Sequence, residues 1–270
     1  MSKTRDCVTL QVPGLCAQIT AFIHPEQDRF VSRRLREEGI WEPYESALVL
    51  QMLEPGQVFV DVGANIGYFS LLAAHRVGAT GAVMAFEPDP GNHALLVRSA
   101  TANGFSQVIH AELAGLAECD GEATLYLSED NLGDHQIFAT GQQRDTLPIR
   151  LLQGGAFLGS RVSRLDLVKI DTQGSEYGVV KGLMPLLGTL AKLPRMIIEL
   201  TPLSLRQFGS SGRAMIELLA ELGQDMWIID HLEHRLVPST AAELAQWCDD
   251  VDAVPGDAGF MNILVGPAPV

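Results

Sequence analysis

The chain has 270 residues, 47% of them apolar, enough to bury a full core as one domain with an N-terminal appendage, which excludes a disordered chain. Nineteen basic against thirty-three acidic residues give a net charge of -14, and no Lys/Arg run tracks a phosphate backbone, so nucleic acid is not an expected partner. Four scattered cysteines frame no zinc site, and no uncharged apolar run approaches the ~20 residues that span a bilayer, so the expectation is a cytoplasmic protein with no membrane partner.

In chain order, residues 1–50 read as an N-terminal cap segment, with one or two helices in "DRFVSRRLREEGIWEPYESALVLQMLEPG" before Pro55 and Gly56 turn the chain. Trp41 and Tyr44 in that stretch either close over a ligand or staple the cap to the rest. Residues 51–270 then alternate short β-rich apolar runs with helical periodicity, the pattern of a mostly parallel sheet covered on both faces. The expected strands are Val58 to Val62, Ala82 to Phe86, Val108 to Leu113, Leu167 to Ile170, Met196 to Leu200, Met226 to Ile229 and Phe260 to Val265, which make a seven-stranded sheet. Between the first two, Ile66, Phe69, Ala73 and Val77 recur at helical spacing and Gly78 supplies a C-cap. Further helices are expected from Asn92 to Asn103, Glu176 to Leu187, Gly212 to Leu222 and Thr240 to Cys248. The polar stretch from Ser128 to Thr146 has little periodicity, and a loop of that length inside a domain is more often functional than accidental.

The stretch "VFVDVGANIGYFS" is a strand, a glycine turn and a helix start, as in nucleotide sites, yet its glycines are displaced. A dinucleotide fold uses G-x-G-x-x-G so that backbone can approach a pyrophosphate. Here Gly63 is followed by Asn65 and Gly67, with Tyr68 where the third glycine belongs, and no Walker lysine follows. A second acid, Glu87, ends the next strand, where doubly wound sheets grip ribose hydroxyls. These features suit a ligand with a ribose and an amino-acid tail but no pyrophosphate: the turn amides would take its carboxylate and Asp61 its ammonium. S-adenosylmethionine is such a ligand. The alternatives are a tight structural turn with Asp61 as a helix cap, a nucleotide-linked oxidoreductase, or a cofactor-binding domain without catalysis.

Two blocks, the one running from "VFVDVGANIGYFS" to "AFEPDPGNHALL" and "LDLVKIDTQGSEYGVVKGL", resemble the FkbM family of S-adenosylmethionine-dependent methyltransferases, in the family's order. The resemblance implies a class I methyltransferase fold: a seven-stranded, Rossmann-like mixed sheet, mostly parallel with an antiparallel last strand. It also implies methylation of an oxygen in many members, here most simply a hydroxyl on a small molecule such as a sugar or natural-product intermediate. In such a fold Asp61, Gly63, Asn65 and Gly67 line the methionine end of the cofactor and Glu87 its ribose. The stretch after the third strand, at Glu112 or Ala114, would pass near the adenine.

Methyl transfer is an in-line displacement that needs an aligned acceptor and somewhere for its proton to go. Ligands of open α/β sheets sit at the carboxyl ends of the strands, which selects Asp171 and Glu199 as candidate catalytic acids. Asp171 could deprotonate the acceptor, orient it, or ligate a divalent ion beside Glu176 or Glu199. Glu176, at the start of a helix, is a candidate substrate contact or a first-turn acid answering the helix dipole. Within the polar stretch, His135 is a candidate base, and Asn131 and Asp134 are candidate contacts to acceptor hydroxyls.

Overall fold

The computed structural model describes residues 6–25, 28–128, 132, 135–137 and 144–269. Strands β1 (Cys7–Thr9) and β2 (Thr20–Phe22) form an antiparallel ribbon, followed by α1 (Val31–Glu38) and α2 (Pro43–Met52). The chain then runs through β3 (Val58–Val62), α3 (Tyr68–Val77), a 3-10 turn at Gly78–Thr80, β4 (Ala82–Phe86), α4 (Pro90–Ala102) and β5 (Ile109–Glu112). An excursion of three strands, β6 (Gly115–Ala117), β7 (Gly121–Tyr126) and β8 (Thr146–Gln153), ends in the short helix α5 (Gly154–Gly159). Next come β9 (Leu167–Ile170), α6 (Glu176–Leu187), β10 (Arg195–Leu200), α7 (Pro202–Gln207) and α8 (Gly212–Ala220). The hairpin β11 (Met226–Asp230) and β12 (Arg235–Ser239), then α9 (Ala241–Ala253) and β13 (Met261–Val265), complete the fold.

The central sheet has the order β12-β11-β13-β10-β9-β3-β4-β5. Pairs β10–β9, β9–β3, β3–β4 and β4–β5 are parallel, whereas β13 is antiparallel to both β10 and β11. The antiparallel last strand therefore stands as expected, but the sheet has eight strands rather than seven. The additional strand is β12, "RLVPS", a partly exposed edge strand whose Pro238 and polar ends give no strand periodicity. A separate three-stranded sheet, β6-β8-β7, and the β1–β2 ribbon were also not legible as apolar runs, because each strand is half exposed. The polar stretch from Ser128 to Thr146 is the connection between β7 and β8, and Gln136 bridges back to Tyr126.

Alternation along the strands sorts side chains onto two faces. Phe59, Val83, Ala85 and Leu167 enter one core with α3 residues Leu71 and Leu72 and cap residues Leu10, Ile19, Ile23 and Leu48. Val58, Val60, Val62, Met84, Phe86, Val168 and Ile170 enter the other, with Val179 and Leu183 of α6 and Ile216 of α8. The same period of two puts Asp61 of β3 and Lys169 of β9, which are register partners, on the first face. Glu199, two residues beyond Ile197, and its partner Asn262 of β13 share that face. A polar row thus crosses the strand ends under α2.

The chain order of the strands reverses between β3 and β9, so a switch-point crevice opens at their carboxyl ends. The two turns leaving these strands touch. Gly63 has φ +81° and a Cβ there would lie 1.8 Å from the Asp171 carbonyl oxygen, so only glycine lets them meet. Among the described residues, no helix is long and apolar enough to cross a membrane.

Candidate active site

Two cavities flank this contact. The smaller, of about 590 Å³, lies on the β4 side and is lined by Glu87, Asn92, Leu116, Leu125, His135 and Ile149 among others. The larger, of about 1440 Å³ including open solvent, lies under α2 and is lined by Trp41, Glu42, Asp61, Tyr68, Lys169 and Glu199 among others. Gly63, Asn65, Asp171 and Gln173 line both, so the two spaces meet at the paired turns.

Glu87 is 5% exposed, and its two oxygens accept from the amides of Asn65 (2.8 Å) and Asp89 (2.8 Å). Burial outweighs these bonds and pushes its pKa up to about 8. Each oxygen keeps a lone pair free, and hydroxyl donors would compensate the buried charge. Asp61, 2% exposed, accepts from Ser70 Oγ at 2.6 Å, and burial again raises its pKa, to about 6.

The turn itself differs from expectation. The amides of Gly63 and Ala64 both donate to Phe86 O, Asn65 N donates to Glu87, Ile66 N to Asn65 Oδ1, and Gly67 N to Ala64 O. None of these N–H groups is left for a ligand carboxylate, because the turn spends them on its own tight closure against β4. Gly67 is needed for packing, since a Cβ there would meet Leu96 Cγ at 2.7 Å. Asn65, with φ +51°, is in the left-handed region that asparagine tolerates best among side chains.

At the end of β9, Lys169 Nζ lies 2.9 Å from Asp171 Oδ2, 3.9 Å from Glu45 Oε2 and 4.7 Å from the Phe69 ring centre. Burial disfavours its charge, but Asp171, Glu45 and Glu42 together hold its pKa well above the ordinary value. Burial likewise opposes ionisation of Asp171. The Lys169 ammonium, a hydrogen bond from Glu199 and donors from Lys169 and Gln173 prevail, and hold its pKa down to about 2. Gln173, in a left-handed conformation at φ +55°, bridges Asp171 Oδ1 (2.9 Å) and Glu199 Oε2 (2.6 Å). Glu199 has the opposite fate: burial, then repulsion from Asp171, raise its pKa well above the carboxylate range.

The remaining expectations divide. Glu176 is 1% exposed and lines neither cavity; its carboxylate accepts from the amides of Thr172 and Gly174 and from Thr172 Oγ1, tying the 171–175 turn shut. It is a turn brace rather than a substrate contact. Among the described residues, no group of three or more His, Cys, Asp or Glu is arranged to hold a metal ion. Asp171, Glu176 and Glu199 fail as a set because each is already engaged with an amide, an ammonium or Gln173. His135 lines the smaller cavity only, so it stands on the Glu87 side, away from Glu199. Its Nδ1 accepts from Ser128 N at 3.0 Å, and burial lowers its pKa. Asn131 and Asp134 lie outside the described residues. Gly115 and Leu116, rather than Glu112 or Ala114, line the smaller cavity beyond β5. Trp41 lines the larger cavity, whereas Tyr44 stacks on His234 with ring centres 5.6 Å apart. Sequence reasoning missed Lys169, Gln173 and Glu42. A lysine inside the apolar strand "LVKI" was the available signal.

The strand order, the switch-point crevice and a buried acid at the end of β4 define a class I methyltransferase-like α/β protein. Residues 61–226, more than half of the chain, match the Methyltransferase FkbM domain. The chain belongs to that family of S-adenosylmethionine-dependent methyltransferases. A relative named Methyltransferase 1, from Beauveria bassiana, is 28% identical over 145 residues, covering 46% of this chain and 57% of its own. The AMB antimetabolite synthetase AmbE of Pseudomonas aeruginosa is 27% identical over 244 residues, covering 76% of this chain and 10% of its own. The chain therefore spans only part of the length of either relative. The crystal structure of methyltransferase FkbM from Methylobacillus flagellatus is 15% identical, with a TM-score of 0.45 over 80% of this chain and 47% of that one.

Two measurements check these electrostatics. Lys169→Met leaves the buried Glu45 and the half-buried Asp171 without their cation, and should cost about 3–5 kcal/mol in chemical denaturation. Glu87 holds its proton up to about pH 8 when folded but only to ~4.3 when unfolded, so the folded state binds the extra proton between those values. Stability contributed by this residue therefore falls as pH rises through that window. The thermal midpoint of the wild type should drop more steeply from pH 5.5 to 8.5 than that of Glu87→Gln, which cannot ionise.

Proposed function

We propose that this chain transfers the methyl group of S-adenosylmethionine to a hydroxyl oxygen of a small molecule, a sugar or a natural-product intermediate. The observation that carries the reading is the pair of cavities joined at Gly63, Asn65, Asp171 and Gln173, one lined by the buried Glu87 and the other by Asp61, Lys169 and Glu199. The acids fit the ribose and the ammonium of the cofactor, while the turn amides, already paired, would not receive its carboxylate. Glu87 would accept from the ribose hydroxyls and Asp61 would face the ammonium, each donor relieving a carboxyl whose charge burial now disfavours. The apolar walls at Leu116, Leu125 and Ile149 would cover the adenine. Bound there, the cofactor supplies an electrophilic methyl on a sulfonium.

The chain's own residues would do the rest. Asp171, kept ionised by Lys169, would orient the acceptor hydroxyl at the junction of the cavities, and the ionised form of Glu199 would take its proton. A carboxylate held near pKa 2 is a poor base, whereas the raised Glu199 is a stronger one. His135 would contribute to the cofactor side rather than serve as base. The similarity to part of an antimetabolite synthetase supports an acceptor from natural-product chemistry.

Thermal shift separates this from an oxidoreductase. S-adenosylhomocysteine should stabilise the protein and NAD should not, and stabilisation by NAD alone would sink the reading. Glu87→Ala should weaken S-adenosylhomocysteine binding by about tenfold to a hundredfold, the worth of a charged hydrogen bond, in calorimetric titration. With hydroxylated acceptors screened by mass spectrometry for methylated product, kcat/KM should rise with pH as the raised carboxyl of Glu199 ionises. Glu199→Gln should lower turnover about 10²-fold or more and flatten that rise; an unchanged profile would remove Glu199 as the base.

A further inference from the structure

The larger cavity holds more acids than its lysine can pair. Glu42, Asp61, Asp171 and Glu199 line it, against Lys169. Lys169 is committed to Asp171 at 2.9 Å, Ser70 Oγ donates to Asp61, and Gln173 Nε2 donates to Glu199. Among the described residues Glu42 has no such donor, and its side chain faces the carboxyl of Glu45 instead. Its Oε2 is sealed from solvent and makes no hydrogen bond, and Oε2 of its neighbour Glu45 is in the same condition. Glu42 occupies the N-cap position of α2, yet its side chain makes no cap bond and its φ of +42° is costly for a residue with a Cβ. Its contact with Glu45 is carboxyl to carboxyl, which leaves Oε2 without a donor. Burial, then repulsion from Glu45, raise its pKa well above the ordinary value.

A buried carboxyl left in this state is stabilised most by a donor that also carries positive charge. An ammonium supplies three N–H donors and the charge together. A neutral hydroxyl offers a bond without offsetting charge, and a phosphate or carboxylate would be repelled by the ionised Asp171. Toward solvent the cavity turns apolar, with Phe30 (49% exposed) and Phe260 (59% exposed) at its wall. The space therefore favours a molecule with a cationic end inward and a ring or hydrocarbon face outward. Resting on the reading of this cavity as the acceptor site, we propose that the acceptor carries a protonated amine bound by Glu42, so that the substrates are hydroxylated amines such as amino sugars or amino alcohols.

The test is calorimetric titration in saturating S-adenosylhomocysteine with matched pairs, amino sugars and amino alcohols against their N-acetylated forms. Free amines should bind at least about tenfold more tightly than their acetylated partners, the ratio expected for one charged hydrogen bond. Glu42→Gln should abolish that preference, Glu42→Asp should keep part of it, and S-adenosylhomocysteine should stabilise both variants as it does the wild type. A panel in which no free amine binds more tightly than its acetylated form overturns the proposal, as does a preference that survives in Glu42→Gln. The wild-type comparison decides alone if a variant fails to fold. Absence of stabilisation by S-adenosylhomocysteine in the wild type would instead count against the methyltransferase reading, which separates the two failures.

Discussion

A single ammonium placed inside the sheet sets the terms for everything around it. Lys169 sits in the third residue of a buried four-residue strand, 3% exposed, and such a charge persists only if it is paired. Its pairing fixes Asp171 as an ionised carboxylate, and Asp171 in turn shares Gln173 with Glu199. One cation thereby separates two neighbouring carboxyls into a permanently charged member and a proton-binding one. Division of labour between acids of one site follows from such opposed environments.

The backbone is arranged to hold this array. Three of the four described non-glycine residues with positive φ, Glu42, Asn65 and Gln173, line the cavities. Strain of this kind clusters where a fold is constrained by its chemistry. The contact between the β3 and β9 turns leaves no room for a side chain at Gly63, and Glu176 braces the second turn from behind. Rigid turns on both sides of the seam keep the two cavities in register, which in-line transfer between bound molecules requires.

The N-terminal segment belongs to the same economy of charge. Residues of β2, α1 and α2 pack into the core on one face of the sheet, and α2 carries Glu42 and Glu45 over the strand ends. Glu45 is fully buried and meets Lys169, Asn262 and His231, so the segment closes the larger cavity with acids rather than with apolar residues alone. The selectivity inferred for that cavity depends on this placement.

By itself the sequence determined the sheet and its turn. Short β-rich apolar runs located seven of the eight central strands, and the glycine turn with Glu87 one strand later pointed to an adenosyl ligand, because these signals are local and dictated by burial and backbone sterics. The small strands Gly115–Ala117 and Gly121–Tyr126 and the edge strand Arg235–Ser239 escaped, since half-exposed strands carry no apolar rhythm. Only the tertiary structure decided which acids act together. Glu176 lies five residues from Asp171 in sequence yet faces its own turn, whereas Glu42 and Glu45 share one space with Lys169, which is distant from both in the chain. Side-chain ionisation answers to desolvation and to neighbours in three dimensions, and those are set by how the sheet and the cap come together.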